Sequence, residues 1–274
     1  MASILDRYGI KEVADVTFYA LDKTGKPTHP VLYLDTLKVS TIEQTGEQAE
    51  ARGGKGNPPL IIWDYGKEIN VTLEDALFSA KSLAIMFGNG EVGQLGGSKY
   101  IMRTSKFTYD GSAAPTTWID PKGDQQDMIN PKYYDATGAT VAATALATGT
   151  DYFVSYDVAA TDVSVIEISA TSFPGTYYVT GDTYARNEAN GEDEFFQFII
   201  PKAKVQSENT ITLEAEGDPS VFNMSLRVMR PADGKMMKLV KYSVAEGTEV
   251  TEGVEVIHNH TLKGDNEGTS PQVG

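Results

Sequence analysis

The stretch that decides the fold runs from Leu60 to Gly88 and reads LIIWDYGKEINVTLEDALFSAKSLAIMFG. It begins with a strand pattern and continues with the one convincing helix pattern of the chain. Thr72 and Asp75 form a capping-box-like start, in which the hydroxyl accepts an otherwise unpaired N–H of the first turn. Gly88 predicts the helix end, because a left-handed backbone there has no Cβ to clash. Between these limits the apolar residues repeat at the 3.6-residue period and predict one packed helix face: Leu73, Ala76, Leu77, Ala80, Leu83, Ala84 and Phe87.

The rest of the chain is patterned for β structure. Short apolar segments alternate with turns, for example around the sequence DKTGKP at 22–27, which is good hairpin chemistry. Strands that return at such short intervals favour a mainly β (α+β) fold, an antiparallel β-sandwich or barrel with one flanking α-helix. A shift to Ala, Thr, Gly and Asp at about 110–171 predicts an inserted β module within a domain over 1–245. The acidic, polar residues 246–274 are predicted to be a loosely held tail.

Composition excludes several classes of function. The net charge of −15 repels nucleic acid and anionic membranes, so a protein that grips phosphates is not expected. The chain has no cysteine, and therefore no disulfide framework and no thiolate chemistry. The N-terminal residues lack a signal-peptide pattern, and no apolar run approaches the ~20 residues that span a bilayer. We expect a protein made in a cytoplasm, without a membrane partner.

Gly46 to Pro59 is the most unusual polar segment. Its sequence, GEQAEARGGKGNPP, is rich in glycine and has almost nothing to bury. It is longer than an ordinary connection, and loops of this length are usually functional. The sequence therefore predicts a long functional loop immediately before the strand that starts at Leu60.

Motifs that resemble catalytic or ligand sites fail in context. Gly88 to Gly93 spells G-x-G-x-x-G but follows a helix, whereas a dinucleotide loop precedes one. Gly53 to Gly56 lacks two required positions of a phosphate loop. The pair His258 and His260 lacks further metal ligands, and Arg186 to Glu194 lacks the spacing of a calcium loop. We predict no enzymatic activity, no cofactor and no metal.

Three stretches resemble the major tail tube protein family of tailed bacteriophages. They are Arg7 to Phe18, Ala51 to Gly88 and Arg186 to Val228. The resemblance implies a β-sandwich with a flanking helix that forms hexameric rings, each subunit adding antiparallel strands to a β-barrel around a lumen. It further implies that the rings stack into a tube of the virion tail, through which DNA passes without specific binding.

The same resemblance implies a set of partners. They are other copies of the chain, a tape measure protein, tail terminator and baseplate proteins and, where the tail is contractile, a sheath protein. The subunit would be made in the host bacterial cytoplasm. In this family a long loop typically reaches the neighbouring ring, and the polar segment before Leu60 suits that role.

Individual residues follow from this interpretation. An acidic, polar strand face suits a DNA conduit, because like charge keeps the duplex from adhering; an ordinary solvated strand face is the alternative. The lumen-face candidates are Glu68, Asn70, Thr210, Thr212, Glu214 and Glu216. The inter-ring loop candidates, in which Arg52 and Lys55 could pair with acids of a neighbour, are Arg52, Gly53, Gly54, Lys55, Gly56 and Asn57.

Two other interpretations remain at this point. One is a different β-rich virion component, such as a decoration protein or a distal tail ring protein. The other is a carbohydrate- or host-binding β-sandwich that uses aromatic residues of the insert, namely Trp118, Tyr133 and Tyr134. The second interpretation requires those three rings to be exposed.

Overall fold

The computed structural model of the chain describes residues 7–88, 90–95, 99–208 and 221–242. It is 58% strand, with antiparallel sheets, a single α-helix and, among these residues, no closed barrel. The predicted mainly β class with one helix is therefore confirmed. In chain order the elements are β1 (Tyr8–Ile10), β2 (Asp15–Leu21), β3 (Pro27–Leu34), β4 (Leu37–Arg52), β5 (Pro59–Asp75), α1 (Ala80–Phe87), β6 (Gly93–Leu95), β7 (Lys99–Thr108), β8 (Thr117–Ile119), β9 (Gln125–Asp127), β10 (Ile129–Tyr134), β11 (Thr140–Val141), β12 (Asp151–Ala160), β13 (Val163–Val165), β14 (Thr176–Asn187), β15 (Asp193–Val205), β16 (Phe222–Val228) and β17 (Lys238–Tyr242).

The chain divides into two compact units. The first combines the residues up to Glu91 with those from Ile166 onward, and the second is Val92–Val165. The second unit starts before the insert predicted at about 110–171, because β7 pairs with β12 over ten residues and so belongs to the same sheet. The predicted tail at 246–274 lies outside the described residues.

A nine-stranded sheet forms the first unit. Seven strands follow the order β3–β2–β14–β15–β16–β5–β4, while β1 pairs with β14 and β17 with β15. Side chains on one face of these strands form the core, with Val16, Phe18, Val71, Val179 and Leu226 fully buried. Each such side chain contributes roughly 1.5–3 kcal/mol by leaving water. Among the residues that the structure describes, the outermost strands of the path, β3 and β4, each pair along one edge.

One glycine of this core is required by packing. Gly181 on β14 lies opposite Phe198 on β15. A Cβ at position 181 would be 2.1 Å from atoms of the Phe198 ring, well inside van der Waals contact. The ring therefore occupies the space above the β14 backbone that any larger residue would need.

The helix is shorter than the sequence predicts, and the start predicted at Thr72 is wrong. Residues 69, 71, 73 and 75 are buried while residues 70, 72 and 74 between them are half-exposed, so β5 continues to Asp75 with a period of two. Thr72 pairs with Thr41 of β4 and with Ser225 of β16. Hydrogen bonds to the two flanking strands hold this segment as a strand, and the local sequence pattern contains no sign of those strands.

The actual helix begins after Ser79, which forms a capping box with Ser82. Gly88 ends the helix as predicted, and its N–H donates to the Ala84 carbonyl at 3.0 Å. Its backbone is extended, with φ −135°, and not left-handed as predicted. Three of the seven residues predicted to form the helix face do contribute to packing: Ala84 is buried, Phe87 packs on the core and Leu83 is half-buried. Leu73 belongs to β5 instead. Ala76 is half-buried, and Leu77 and Ala80 are exposed.

The second unit has a small sheet of its own, in the order β11–β10–β12–β7, together with the hairpin β8–β9 and the antiparallel pair β6–β13. Tyr133, Val154 and Tyr156 form its core, and Phe107 and Trp118 pack against them. This core is much smaller than that of the first unit.

Three hairpin turns use the same five-residue arrangement, at 22–26, 120–124 and 135–139. In each, the carboxylate of the first residue, an Asp, accepts the N–H groups of the third and fifth residues at 2.7 to 2.9 Å. The fourth residue is a glycine with positive φ. The hairpin turn predicted from DKTGKP is confirmed, and the same device recurs in both units.

Candidate assembly surfaces

The most conspicuous surface is a long hairpin made by the outer parts of β4 and β5, residues 43–67, which we call the arm. Side chains at 43–50 and 54–67 are exposed on both faces of this two-stranded ribbon. The predicted long loop from Gly46 to Pro59 is therefore wrong as a loop. Residues 47–51 pair with residues 61–65 of the segment LIIWDY in β5, and the connection between the strands is only residues 53–58. A solvated ribbon needs no core beneath it, so polar composition did not prevent a strand.

The inter-ring loop candidates lie at the tip of the arm. Gly54, Gly56 and Asn57 have positive φ and make the reversal, and the Asn57 N–H donates to the Gly54 carbonyl at 3.1 Å. Arg52 pairs with Glu50 of its own strand at 2.6 Å. The predicted pairing of Arg52 with a neighbouring subunit would have to replace this local ion pair. Gly53 and Lys55 complete the tip.

One face of the arm is apolar. Trp63 lies opposite Ala49, and Ile61 opposite Ala51. The side chains of Ile61, Trp63 and Tyr65 are 52%, 53% and 53% exposed. We call these five residues the apolar face of the arm. Adjacent exposed groups of this size normally mark a contact with another molecule.

A β-bulge determines the side of the ribbon on which the apolar face lies. Thr45 pairs with Glu68 and Glu47 with Tyr65, so β5 has one more residue than β4 between the two pairs. Gly66 in the bulge has φ 63°, a left-handed conformation that favours glycine. Since Thr45 and Glu47 point to the same side of β4, Tyr65 shares the face of Glu68. Without the bulge, Tyr65 would point to the side of the core.

At the base of the arm, the same face is polar. Asn70 lies between Glu43 and Arg227 on the neighbouring strands, and Glu68 forms an ion pair with Arg227. The sheet thus brings the lumen-face candidates Glu68 and Asn70 together on one outward face. The other four candidates lie outside the described residues: Thr210, Thr212, Glu214 and Glu216.

A polar cluster connects the first and last described strands. Lys241 on β17 forms an ion pair with Glu194 on β15, and its Nζ lies 2.9 Å from the hydroxyl of Tyr8 on β1. The Asn187 amide donates to the same hydroxyl at 3.2 Å. The hydrogen bond from Lys241 lowers the pKa of the Glu194 carboxyl, and Glu194 raises the pKa of Lys241. The cluster holds β1 and β17 at one end of the β14–β15 hairpin.

The aromatic residues predicted as a host-binding surface are not an exposed platform. Tyr133 is buried and its hydroxyl donates to the Pro115 carbonyl at 3.0 Å. Trp118 is half-buried, with the Arg103 guanidinium 4.5 Å above its ring, and Tyr134 is also half-buried. Tyr133 is part of the small core of the second unit, and Trp118 packs against that core.

Within the described ranges, no cluster of three or more His, Cys, Asp or Glu side chains is placed to hold a metal ion. His258 and His260 lie outside those ranges. In the same part of the chain, none of the helices has the length and apolar character to cross a membrane.

Sequence reasoning missed the residues of the apolar face. The signal was present in LIIWDY, where apolar residues dominate a strand, but a run of this kind is equally typical of a buried strand. Only the absence of any covering element distinguishes the two cases, and that is a tertiary property.

Comparison with known proteins identifies the family. Among curated proteins, no match to the chain was found. A family model described as the YomU/Tube protein family matches residues 8–242, a range that includes the arm, the helix and both compact units. The family is phage-derived, and its tubes are tail components that form by self-assembly. The chain belongs to the YomU/Tube protein family of phage tube proteins.

Proposed function

We propose that this chain is the subunit of a phage tail tube that forms hexameric rings, and that the rings stack around a lumen through which the viral genome passes. In this role it is a virion structural protein without enzymatic activity. The observation that carries the proposal is the apolar face of the arm, a solvent-exposed surface that the described residues of one subunit leave about half exposed.

The unpaired sheet edges support ring formation. β3 is 8 residues long and β4 is 16, and each lacks a partner along one edge in the described structure. Long open edges promote uncontrolled pairing between chains, and closure into a ring of subunits removes them. Pairing between the two edges of adjacent subunits would continue the sheet around a lumen.

The polar outward face supports the role of a conduit. Around Asn70 and Thr72 it presents carboxylate, amide and hydroxyl groups, and Arg227 is paired with Glu68. In a chain with a net charge of −15, such a face offers the DNA backbone few unpaired cations. The duplex would slide past without specific binding.

The partners of the subunit follow from this role. The tape measure protein would occupy the lumen during assembly, and terminator and baseplate proteins would meet the two ends of the tube. A sheath protein would surround the tube in a contractile tail. The subunit itself would be made in the host cytoplasm and function in the virion tail.

Negative-stain microscopy of the purified full chain tests the proposal. We expect rings or tubes with a central hole and six-fold class averages. Ile61→Ser on the arm should reduce assembly, whereas Ile119→Ser, at an exposed isoleucine of the second unit, is the matched control. Persistent monomers of the unsubstituted chain, or rings with another symmetry, would contradict the proposal.

A further inference from the structure

A groove lies at the base of the arm. Its floor and walls include Ile42 and Ile69 from the arm strands and Met236, Met237 and Leu239 from the segment that leads into β17. The volume of about 540 Å³ falls within the ~300–1,000 Å³ of pockets that hold small ligands, so several side chains fit. The groove is open to solvent and mostly apolar.

Its walls are suited to an apolar partner. Met236 and Met237 are half-buried against the main core, and Leu239 is 61% exposed. Methionine is unbranched and polarizable, and it adapts to the shape of a partner better than other apolar residues.

The arm of the same chain does not fill the groove. Gln44 and Lys67 of the arm line the groove, while Ala49 is five residues farther along β4, roughly 17 Å at the rise of a strand. The hydrogen-bonded ladder from Thr45 to Ala51 keeps the ribbon extended over this distance. The apolar face of an arm can therefore enter this groove only on another copy of the chain.

We propose that the groove binds the apolar face of the arm from a second copy of the chain in the neighbouring ring. This inference rests on the proposed tube function, and it names the receiving surface of the contact between rings. Trp63 and Ile61 of one copy lie against Met236, Met237 and Leu239 of the other. Both surfaces lose their exposed apolar area in the same contact.

The charges of the two surfaces are complementary. Glu47 stands on the apolar face, opposite Tyr65. Lys67 is one of the residues that line the groove. In a chain with a net charge of −15, a groove lined by a lysine favours an arm with a carboxylate over a purely apolar segment.

The contact joins two different surfaces of the same protein. A heterologous contact of this kind leaves one free arm and one free groove on every dimer, so it propagates. Six such contacts around a ring would add one ring to the next. Pairing of sheet edges would hold subunits together within a ring, and arm binding would hold one ring to the next. A substitution in one of these contacts can therefore be tested without changing the other.

Disulfide cross-linking tests the contact directly, because the chain contains no cysteine. Ala49→Cys places a thiol beside Trp63 without removing it, and Leu239→Cys places one in the groove. The two variants are purified separately, mixed under assembly conditions and oxidised. We expect a reducible dimer in the mixture and in neither variant alone, since a disulfide requires Cβ atoms within about 4.5 Å.

Gln48→Cys is the matched control, since it neighbours Ala49 on β4 but lies on the opposite face of the arm. Its cross-linking to Leu239→Cys should be roughly tenfold weaker, because its Cβ points away from the groove. In a second measurement, Met236→Ser with Met237→Ser should leave isolated rings in micrographs where the unsubstituted chain forms tubes.

The outcomes separate this inference from the proposed function. Tubes that form without the Ala49–Leu239 cross-link would overturn the groove assignment and leave the tube function standing. Equal cross-linking by Gln48→Cys would also overturn it. An unsubstituted chain that forms neither rings nor tubes would overturn the proposed function, and the groove assignment with it.

Discussion

β4 and β5 run through two environments, the body of the sheet and the arm, with the same antiparallel ladder in both. In the body, Val71 and Ile69 of β5 are 0% and 6% exposed, whereas Ile61 and Trp63 in the arm are 52% and 53% exposed. The β4–β5 ladder continues through both, and in the body β5 also pairs with β16. The difference in burial comes from the elements that cover the body, and none of the described residues covers the apolar face of the arm in this way.

The same substitution at two positions of β5 should give the largest effect. Ile69→Ala removes a core side chain and should lower the free energy of unfolding by about 2–5 kcal/mol. Ile61→Ala in the arm should change it by no more than about 0.5 kcal/mol, because the side chain is already solvated. Chemical denaturation of the monomeric protein measures both values.

Assembly should respond in the opposite sense. Ile61→Ala should weaken ring stacking. Ile69→Ala should affect assembly mainly by lowering the stability of the monomer. Sedimentation at a temperature where both variants are folded measures the difference in assembly. A large loss of monomer stability from Ile61→Ala would mean that the arm folds back on its own subunit, contrary to the comparison.

The bulge that separates the two environments should give an intermediate effect. Gly66→Ala should cost about 1–2 kcal/mol, because φ of 63° is left-handed while the added Cβ meets nothing closer than 3.5 Å. Gly46→Ala, at a glycine of the partner strand without positive φ, is the control and should be nearly neutral. Thermal unfolding of both variants measures the difference.

Assembly provides a second readout for the bulge. If Gly66→Ala moves the apolar face, tubes should be lost even where the monomer remains folded. Normal tubes together with an unchanged melting temperature would show that the bulge does not place the apolar face.

Acid sensitivity should give the smallest effect, and the turns at 22–26 and 135–139 should contribute to it. The Thr137 hydroxyl, followed by the Ala139 N–H, lowers the pKa of Asp135, and the N–H of Lys26 does the same for Asp22. A carboxyl whose pKa is lower in the folded state stabilises the fold above its unfolded pKa of about 3.9, and the stabilisation is lost as the pH falls through the folded value.

Melting curves between pH 6 and pH 2.5 test this expectation. Stability should be flat at the upper end and decline below about pH 4. Asp135→Asn keeps an acceptor in the turn but does not titrate, so the variant should show a shallower decline. A decline equal to that of the unsubstituted chain would exclude Asp135 as a contributor.

Much of the fold was predictable from local chemistry. The mainly β class, the single helix, its end at Gly88 and the turn at 22–26 follow from residue patterns that short-range sterics control. The segment before Leu60 forms part of the arm, as a strand and not as the predicted loop, and its function stays a prediction.

Two predictions failed for one physical reason. Residues 72–75 belong to a segment with apolar spacing compatible with a helix, and Gly46–Arg52 is polar enough for a loop. In both places, hydrogen bonding to a neighbouring strand outweighed local preference. Strand pairing joins residues distant in sequence, as Thr72 with Ser225 illustrates, so a local pattern does not contain it.

The sequence by itself determined the β framework, the acidic charge and the absence of thiol chemistry, because these depend on composition and on residue periodicity alone. Tertiary structure alone decided where β5 gives way to the helix, and that Ile61, Trp63 and Tyr65 face solvent on the side of Glu68. A single extra residue at the Gly66 bulge moves every side chain beyond it to the other face of the ribbon. Whether a face is then core or contact surface depends on what packs against it, which no stretch of sequence specifies alone.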